Sequence, residues 1–349
     1  MGGGNTISTI PSRSFGLDLT RVFAIFAVIG GHFFSIHTDF RSSPMDDMSM
    51  FIQSMAQSIL NCGVPLFIVL TGYLNINKII SRKYYSGIWR VLLAYLIFSI
   101  VTLIFRHTAM GESITLVSGI KSILNFSSFM YAWYIEMWIG LFLLIPFLNI
   151  LYKGIGNKRH KQLLISTLAV MTFLPIFTNR YDQHILPAFW TSIYPLSFYY
   201  IGSYIREYRP EINKWFGLGI ILAIGALPGI FTMLAAPGHS QIHILGDCFG
   251  IFGAIEAVLI FIILYDLNCQ NYVVSRIIYW ISLLSLDMYL CCYIFDVIIY
   301  PWFKDRYFVD QSSFGIYFFI IVPTVMLGAF TLSLIKRMFF SLPLISRFR

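Results

Sequence analysis

Residues 16–37 read GLDLTRVFAIFAVIGGHFFSIH. The middle of this stretch is as apolar as a lipid tail, yet Asp18 and Arg21 stand near one end and His32 near the other. A run of about 20 apolar residues is what a helix needs to cross the hydrocarbon of a bilayer. Ionisable residues within such a run cost about 2.5–3.5 kcal/mol each at a helix centre on insertion scales, so they are read first as functional groups. Eleven residues part Arg21 from His32, about three helical turns plus ~20°, which puts both side chains on one helix face roughly 16 Å apart along the axis. Each has a plainer explanation alone: Arg21 can snorkel and pair with Asp18 at i,i+3, and His32 can be a satisfied packing histidine. Both on one face, with Gly30 and Gly31 allowing close approach of a backbone or substrate, point instead to a functional groove.

The rest of the chain repeats the pattern. Of its 349 residues, 58% are hydrophobic and only 11% charged, with a mean hydropathy of +0.75, whereas soluble domains are about 25% charged. Apolar runs at about 16–37, 50–74, 84–105, 131–151, 162–179, 189–205, 214–234, 247–267, 277–302 and 314–335 predict ten spans. The alternating ten-residue segments of a β-barrel are absent. The expected fold is therefore all-α, a polytopic transmembrane helical bundle forming one domain over residues 1–349. The N-terminal MGGGNTISTIPSRS lacks the apolar core of a secretory signal, so the first span is expected to stay. Its Met-Gly start is compatible with myristoylation, which would add little anchoring here.

Charge orients the bundle. With the N-terminus cytoplasmic, sixteen of the 24 Lys and Arg fall on the inner side, among them Lys78, Arg82, Lys83 and the Lys153–Lys161 cluster. Six fall outside, and Arg21 and Arg90 lie within spans. The positive-inside rule then places both termini in the cytoplasm and accounts for the net charge of +8 without any nucleic acid. Between the third and fourth spans, residues 112–126 (ESITLVSGIKSILNF) put Leu116, Val117, Ile120, Ile123 and Leu124 on one face, the mark of an interfacial or re-entrant helix. Cys62, Cys248, Cys269, Cys291 and Cys292 show neither zinc-ligand spacing nor a disulfide framework and read as small buried hydrophobes.

Other intramembrane polar groups sort by depth. Arg90 lies one to two turns into the third span. Glu136, in YAWYIEMWIGLFLLIP (131–146), sits at the depth expected for His32 and is the carboxylate chosen to fix that imidazole's tautomer and raise its basicity. Glu256, Asp287 and Asp296 follow in the eighth and ninth spans, the last two open to pairing with Arg90 or with each other.

Taken together, these residues resemble the acyltransferase-3 family of integral-membrane acyltransferases over nearly the whole chain. The resemblance is carried by Arg21-x10-His32 in the first span, by GVPLFIVLTGYL (63–74), and by KYYSGIWRVLLAY (83–95) with Arg90. AWYIEMWIGLFLLIPFLN (132–149), SFYYIGSYI (197–205), SLDMYL (285–290) and a closing PLISRFR (343–349) complete it in order. The ninth-span pattern of the family often ends in Tyr-x-x-His; here Cys292 follows Tyr289, and Asp287 stands where a small residue is common. The resemblance implies transfer of an acyl group, most often acetyl, from a cytoplasmic thioester donor such as acetyl-CoA to a hydroxyl of a cell-surface or lipid-linked carbohydrate. Capsule, exopolysaccharide, O-antigen, teichoic-acid precursor and peptidoglycan are the candidate acceptors, and a bacterial plasma membrane the setting; no metal is implied. Acyl-CoA cannot cross a bilayer, so its phosphates call for cations at the inner face, for which Arg21, Arg90 and the basic loop Lys78–Lys83 are suited. His32 is then the expected general base on the acceptor hydroxyl, partnered by Glu136. The competing expectation is a transporter or flippase for a lipid-linked or acylated sugar, with Arg21, His32 and Glu136 as a proton relay. A purely structural membrane subunit accommodates the aromatics but leaves the Arg21–His32 pair unexplained.

Overall fold

The computed structural model describes residues 14–179, 185–235, 239–240 and 249–341. The Met-Gly start, Arg13, Arg180, Cys248 and the closing PLISRFR lie outside the described residues. Among those described there are helices and no strand. In chain order the helices are α1 (Phe15–His32, continued by a π turn over Phe33–His37), α2 (Met48–Leu60), α3 (Gly63–Asn75), α4 (Arg82–Tyr85) and α5 (Ile88–Ala109). Then come α6 (Leu116–Leu124), α7 (Trp133–Gly154), α8 (Lys158–Thr178), α9 (Tyr194–Tyr208) and α10 (Lys214–Ala235). Last are α11 (Ile251–Leu264), α12 (Tyr272–Tyr307), α13 (Gln311–Phe314) and α14 (Phe318–Ser341).

Among the described residues, eight helical segments are long and apolar enough to cross a membrane, and each coincides with an apolar run expected to span. The remaining two runs, at 189–205 and 247–267, contain α9 and α11, of 15 and 14 residues. The bundle is thus all-α and polytopic. The face at which α1 begins is called the near face below, and the face at which it ends the far face.

α1 is the axial element. It packs on α12, α3, α14, α2 and α11, and Ala24, Ile25, Ala27 and Ile29 along it are wholly buried. α12, at 36 residues, runs beside it; at 1.5 Å per residue such a helix is about 54 Å long and outreaches the ~30 Å hydrocarbon. A second close contact joins α3 to α9. A Cβ on Gly72 would run into the Tyr199 carbonyl, and one on Gly202 into the Val69 carbonyl. The two backbones therefore touch at a reciprocal small-residue crossing, the device by which membrane helices gain van der Waals contact.

Asn149 adds a polar clasp beside this crossing. Its Nδ2 donates to the carbonyls of Asn75 (2.7 Å) and Lys78 (2.8 Å), and its Oδ1 accepts from the Tyr199 hydroxyl at 2.6 Å. These bonds tie α7 and α9 to the near-face turn that follows α3. Gly72, Asn149 and Gly202, in the tails of three sequence motifs, thus serve packing. Gly202→Val is expected to abolish the folded species, because the overpacking falls on backbone that cannot move aside and exceeds the usual cost of about 1–3 kcal/mol. Loss of the monodisperse peak in detergent size exclusion checks it, with Gly219→Val, where a Cβ meets open space, as the tolerated control.

At the far face α6 carries the expected amphipathic helix. Leu116, Val117, Ile120 and Leu124 are exposed while Gly119 is buried and Ile123 packs against the core, so most of the apolar stripe points away from the protein. A capping box of Thr115 and Ser118 fixes where the helix begins. The α5–α6 connection is held by Arg106, which pairs with Glu112 at 2.6 Å and donates to the Ser128 carbonyl at 2.8 Å. The guanidinium holds the Glu112 carboxyl below the usual carboxylate range.

Candidate active site

The functional side chains gather where α1 reaches the far face. Asp296, wholly buried on α12, is the hub. His32 Nδ1 lies 3.4 Å from its Oδ2, and His37 Nε2 lies 3.5 Å from the same oxygen. Tyr131 donates its hydroxyl to that oxygen at 2.7 Å. Since the phenol has one proton and gives it to Asp296, the 2.6 Å contact between Tyr131 Oη and His37 Nε2 makes His37 the donor. The rings are stacked as well: Tyr131 on His32 at 3.8 Å between centroids, and Tyr300 on His37 at 4.6 Å.

This arrangement gives His32 a defined role. A carboxylate facing Nδ1 favours the proton on that nitrogen, leaving Nε2 with its lone pair, and stabilises the imidazolium once Nε2 takes a proton. His32 lines a cavity of about 180 Å³ together with Gly31, Ser35, Met130, Tyr131, Trp133 and Tyr289. Beside Gly31 the nearest neighbour of a hypothetical Cβ is 3.9 Å away, so this glycine leaves room, whereas Gly30 is packed against Leu60 and Phe318. The imidazole is thus a base whose Nδ1 faces a buried carboxylate, beside space for a small reactant.

His37 reaches the site because the helix changes winding. Five residues at 100° each would leave it about 140° from His32 on an α-helix. The wider turns of the π segment over Phe33–His37 swing it back towards Asp296. Such π segments occur often at functional sites.

At the other end of α1, Asp18 is buried and accepts from Arg21 Nη1 at 2.9 Å and from Ser282 Oγ at 2.7 Å. Arg21 is therefore paired at i,i+3 as expected, and it also lines a cavity of about 270 Å³ with Thr71, Asn75, Tyr134, Trp138, Ser285 and Tyr289. The near-face cavity and the far-face cavity have Tyr289 in common. The α12 contributions follow a seven-residue spacing, Ser282 at Asp18, Tyr289 between the cavities and Asp296 at His32, one stripe that drifts by only ~20° per step. Arg21 and His32 thus both face α12, and the two cavities, each lined by α1, α3, α7 and α12, share Tyr289.

Other expected site residues fall elsewhere. Glu136 is exposed in the first turn of α7, next to the buried Ile135, and Asp296 holds the place at His32 for which Glu136 was chosen. Depth matching placed two residues at one level of the membrane but could not say which side of α7 faced in. Arg90 is exposed in the first turn of α5; its neighbour Val91 lines the near-face cavity, but Arg90 does not. Asp287 pairs with Lys336 at 2.6 Å, and Glu256 accepts from Ser58 at 3.4 Å, both away from the two cavities. His37, Tyr131 and Tyr300 were not singled out by sequence.

The cluster also offers donor atoms of His32, Cys292 and Asp296 within 4.8 Å of one another, close enough for a shared cation. Cys292 Sγ, however, donates to the Tyr289 carbonyl at 3.3 Å, and Asp296 Oδ2 already accepts from Tyr131. Those two atoms are engaged in hydrogen bonds, while His32 Nδ1 and Asp296 Oδ1 are buried without a hydrogen-bond partner. Position 292, where a histidine is common in the family pattern, here holds a buried thiol, and the second imidazole comes from His37.

Comparison with protein families gives a match to the acyltransferase domain model over residues 14–334, which takes in every helix that builds both cavities. No curated protein and no solved structure matches the chain.

Proposed function

This chain belongs to the acyltransferase-3 family of membrane acyltransferases, and from that premise we propose that it moves an acetyl group from cytoplasmic acetyl-CoA to a hydroxyl of a cell-surface or lipid-linked carbohydrate. The observation that carries the proposal is the pair of cavities along α1, one holding a cation and the other an imidazole backed by a buried carboxylate. The near face is taken as cytoplasmic on the excess of basic residues in its loops.

In this reading the CoA phosphates lie at the near face, where Arg21 meets the donor at the cavity wall and Arg90, on the α5 surface, adds positive charge outside it. The slender pantetheine arm enters among Phe67, Leu70, Tyr134 and Trp138, which make an apolar sleeve. The acceptor hydroxyl enters the far-face cavity beside His32. As its oxygen attacks the thioester carbonyl, His32 Nε2 takes the hydroxyl proton, and Asp296 stabilises the imidazolium. The C–S bond then breaks, the ester remains on the sugar, and the imidazolium returns the proton to the departing thiolate. The transfer is direct from thioester to hydroxyl, and Glu136 has no part in it.

The test uses membrane vesicles containing the chain, acetyl-CoA labelled in the acetyl group, and candidate glycans. Ester-bound label on a glycan is expected only with the intact chain. Label carried across the membrane without a new ester would instead indicate a flippase and defeat the proposal. Arg21→Ala is expected to raise the KM for acetyl-CoA by about 10-fold or more, the loss of one charge-assisted phosphate contact of roughly 1.5–3 kcal/mol, while leaving the KM for the glycan near its starting value. Equal rises for both substrates would return Arg21 to a structural part in the Asp18–Ser282 cluster.

A further inference from the structure

Tyr289 is used by no step above, yet it is the residue that the two cavities share. It is buried at 4% exposure, between the two cavities it lines. Its hydroxyl donates to the Tyr131 carbonyl at 2.6 Å, and its ring meets Tyr134 edge to face at 5.2 Å. The ring is thus pinned from α12 onto the chain entering α7, across the line that joins Arg21 to His32. Its anchor matters too, because Tyr131 is the residue whose ring lies on His32 and whose hydroxyl binds Asp296.

We propose that the Tyr289 ring is the partition between the donor and acceptor half-sites, and that the acyl group reaches His32 only when this ring swings away from the Tyr131 carbonyl. The identity of the two half-sites rests on the transfer reading above; the partition itself does not. A chain that joins a cytoplasmic donor to an acceptor on the other side needs a passage that is closed when no reactant fills it. A ring fixed at both its edge and its hydroxyl closes this one. Because the only hydrogen bond that must break ends on Tyr131, opening the partition also frees the residue that backs the base. The same ring bounds the space beyond the thioester, so it restricts the acyl group to those small enough to pass.

Accessibility tests this without any acyl transfer. Thr71 lines the near-face cavity. A Thr71→Cys chain in sealed vesicles is treated from the far-face side with a small, membrane-impermeant cationic methanethiosulfonate, and labelling at position 71 is followed by mass spectrometry, which separates it from the native cysteines. With Tyr289 in place the reagent is expected to be blocked. With Tyr289→Ala the labelling rate is expected to rise by about an order of magnitude or more, since a close-packed interior offers no other route. Tyr289→Phe keeps the ring but loses its bond to the Tyr131 carbonyl, and its labelling rate is expected to fall between those of the parent and Tyr289→Ala. Tyr289→Leu serves in place of the alanine variant should that chain fail to fold. Labelling as fast with Tyr289 present as without it, or no labelling after the ring is removed, overturns the partition. Neither result depends on whether acetyl-CoA is the donor, so failure of the partition and failure of the transfer reading are told apart.

Discussion

His32→Ala is expected to lower the turnover number for glycan acylation by about 10²–10⁴-fold, the contribution a positioned general base makes. An alcohol is a poor nucleophile at neutral pH, and the only imidazole lining the far-face cavity among the described residues is His32. The effect should appear in turnover rather than in donor affinity, because Arg21 and the apolar sleeve lie in the other cavity. Folding is the rival explanation for any lost activity, since the ring stacks on Tyr131 at 3.8 Å. His32→Gln, which keeps much of the volume without a basic nitrogen, should be as inactive as the alanine variant while running as the same monodisperse species in detergent. Full transfer by either variant at equal folded amounts would remove His32 from the chemistry.

The second large effect is expected at Asp296. Asp296→Asn keeps the shape but removes the charge that holds the proton on His32 Nδ1, and it offers Tyr131 and His37 a weaker acceptor. Turnover is expected to fall by about 10²-fold or more, with the KM for acetyl-CoA within a few-fold of the parent. Asp296→Ala goes further: stripping the carboxylate from a fully buried network leaves Tyr131 and His37 without their common acceptor, at a cost of several kcal/mol, so that chain is expected to lose stability as well. Glu136→Gln is the contrast. An exposed residue away from both cavities is expected to change the rate by no more than about twofold to threefold, as surface substitutions do. A severe loss in Glu136→Gln with a mild one in Asp296→Asn would reverse the assignment of the carboxylate. Kinetics on the two variants side by side decide it.

The legible part of this protein is the part that bilayer physics writes into composition. Apolar run lengths located the eight segments that are long and apolar enough to cross among the described residues, because a lipid-exposed backbone must satisfy its own hydrogen bonds and does so as a helix. The face shared by Arg21 and His32 was legible because helical periodicity within one element needs no partner. The amphipathic α6 was legible for the same reason.

What failed to show was anything that depends on how one helix is rotated against another. Glu136 and Asp296 are equally acidic and equally apolar in context, yet one is exposed and the other wholly buried. Hydropathy gives the depth of a residue and not its azimuth. His37 was hidden for a different reason: a five-residue offset on a regular helix points away from His32, and only the π turn brings it round. Tyr131 sits ahead of α7, in a connection whose path no periodicity describes. Three of the motifs that carry the family resemblance owe part of their pattern to packing, since Gly72, Gly202 and Asn149 hold α3, α7 and α9 together.

The chain's own order of residues determined that it crosses the membrane many times and that one of its helices carries a cation and an imidazole in line. Tertiary structure alone decided that the imidazole's partner is Asp296, that a second histidine joins it, and that Tyr289 stands between the two cavities. The reason is that burial in lipid is a property of single segments, whereas a site is made of side chains from segments far apart in sequence, and their meeting is fixed only when the helices pack.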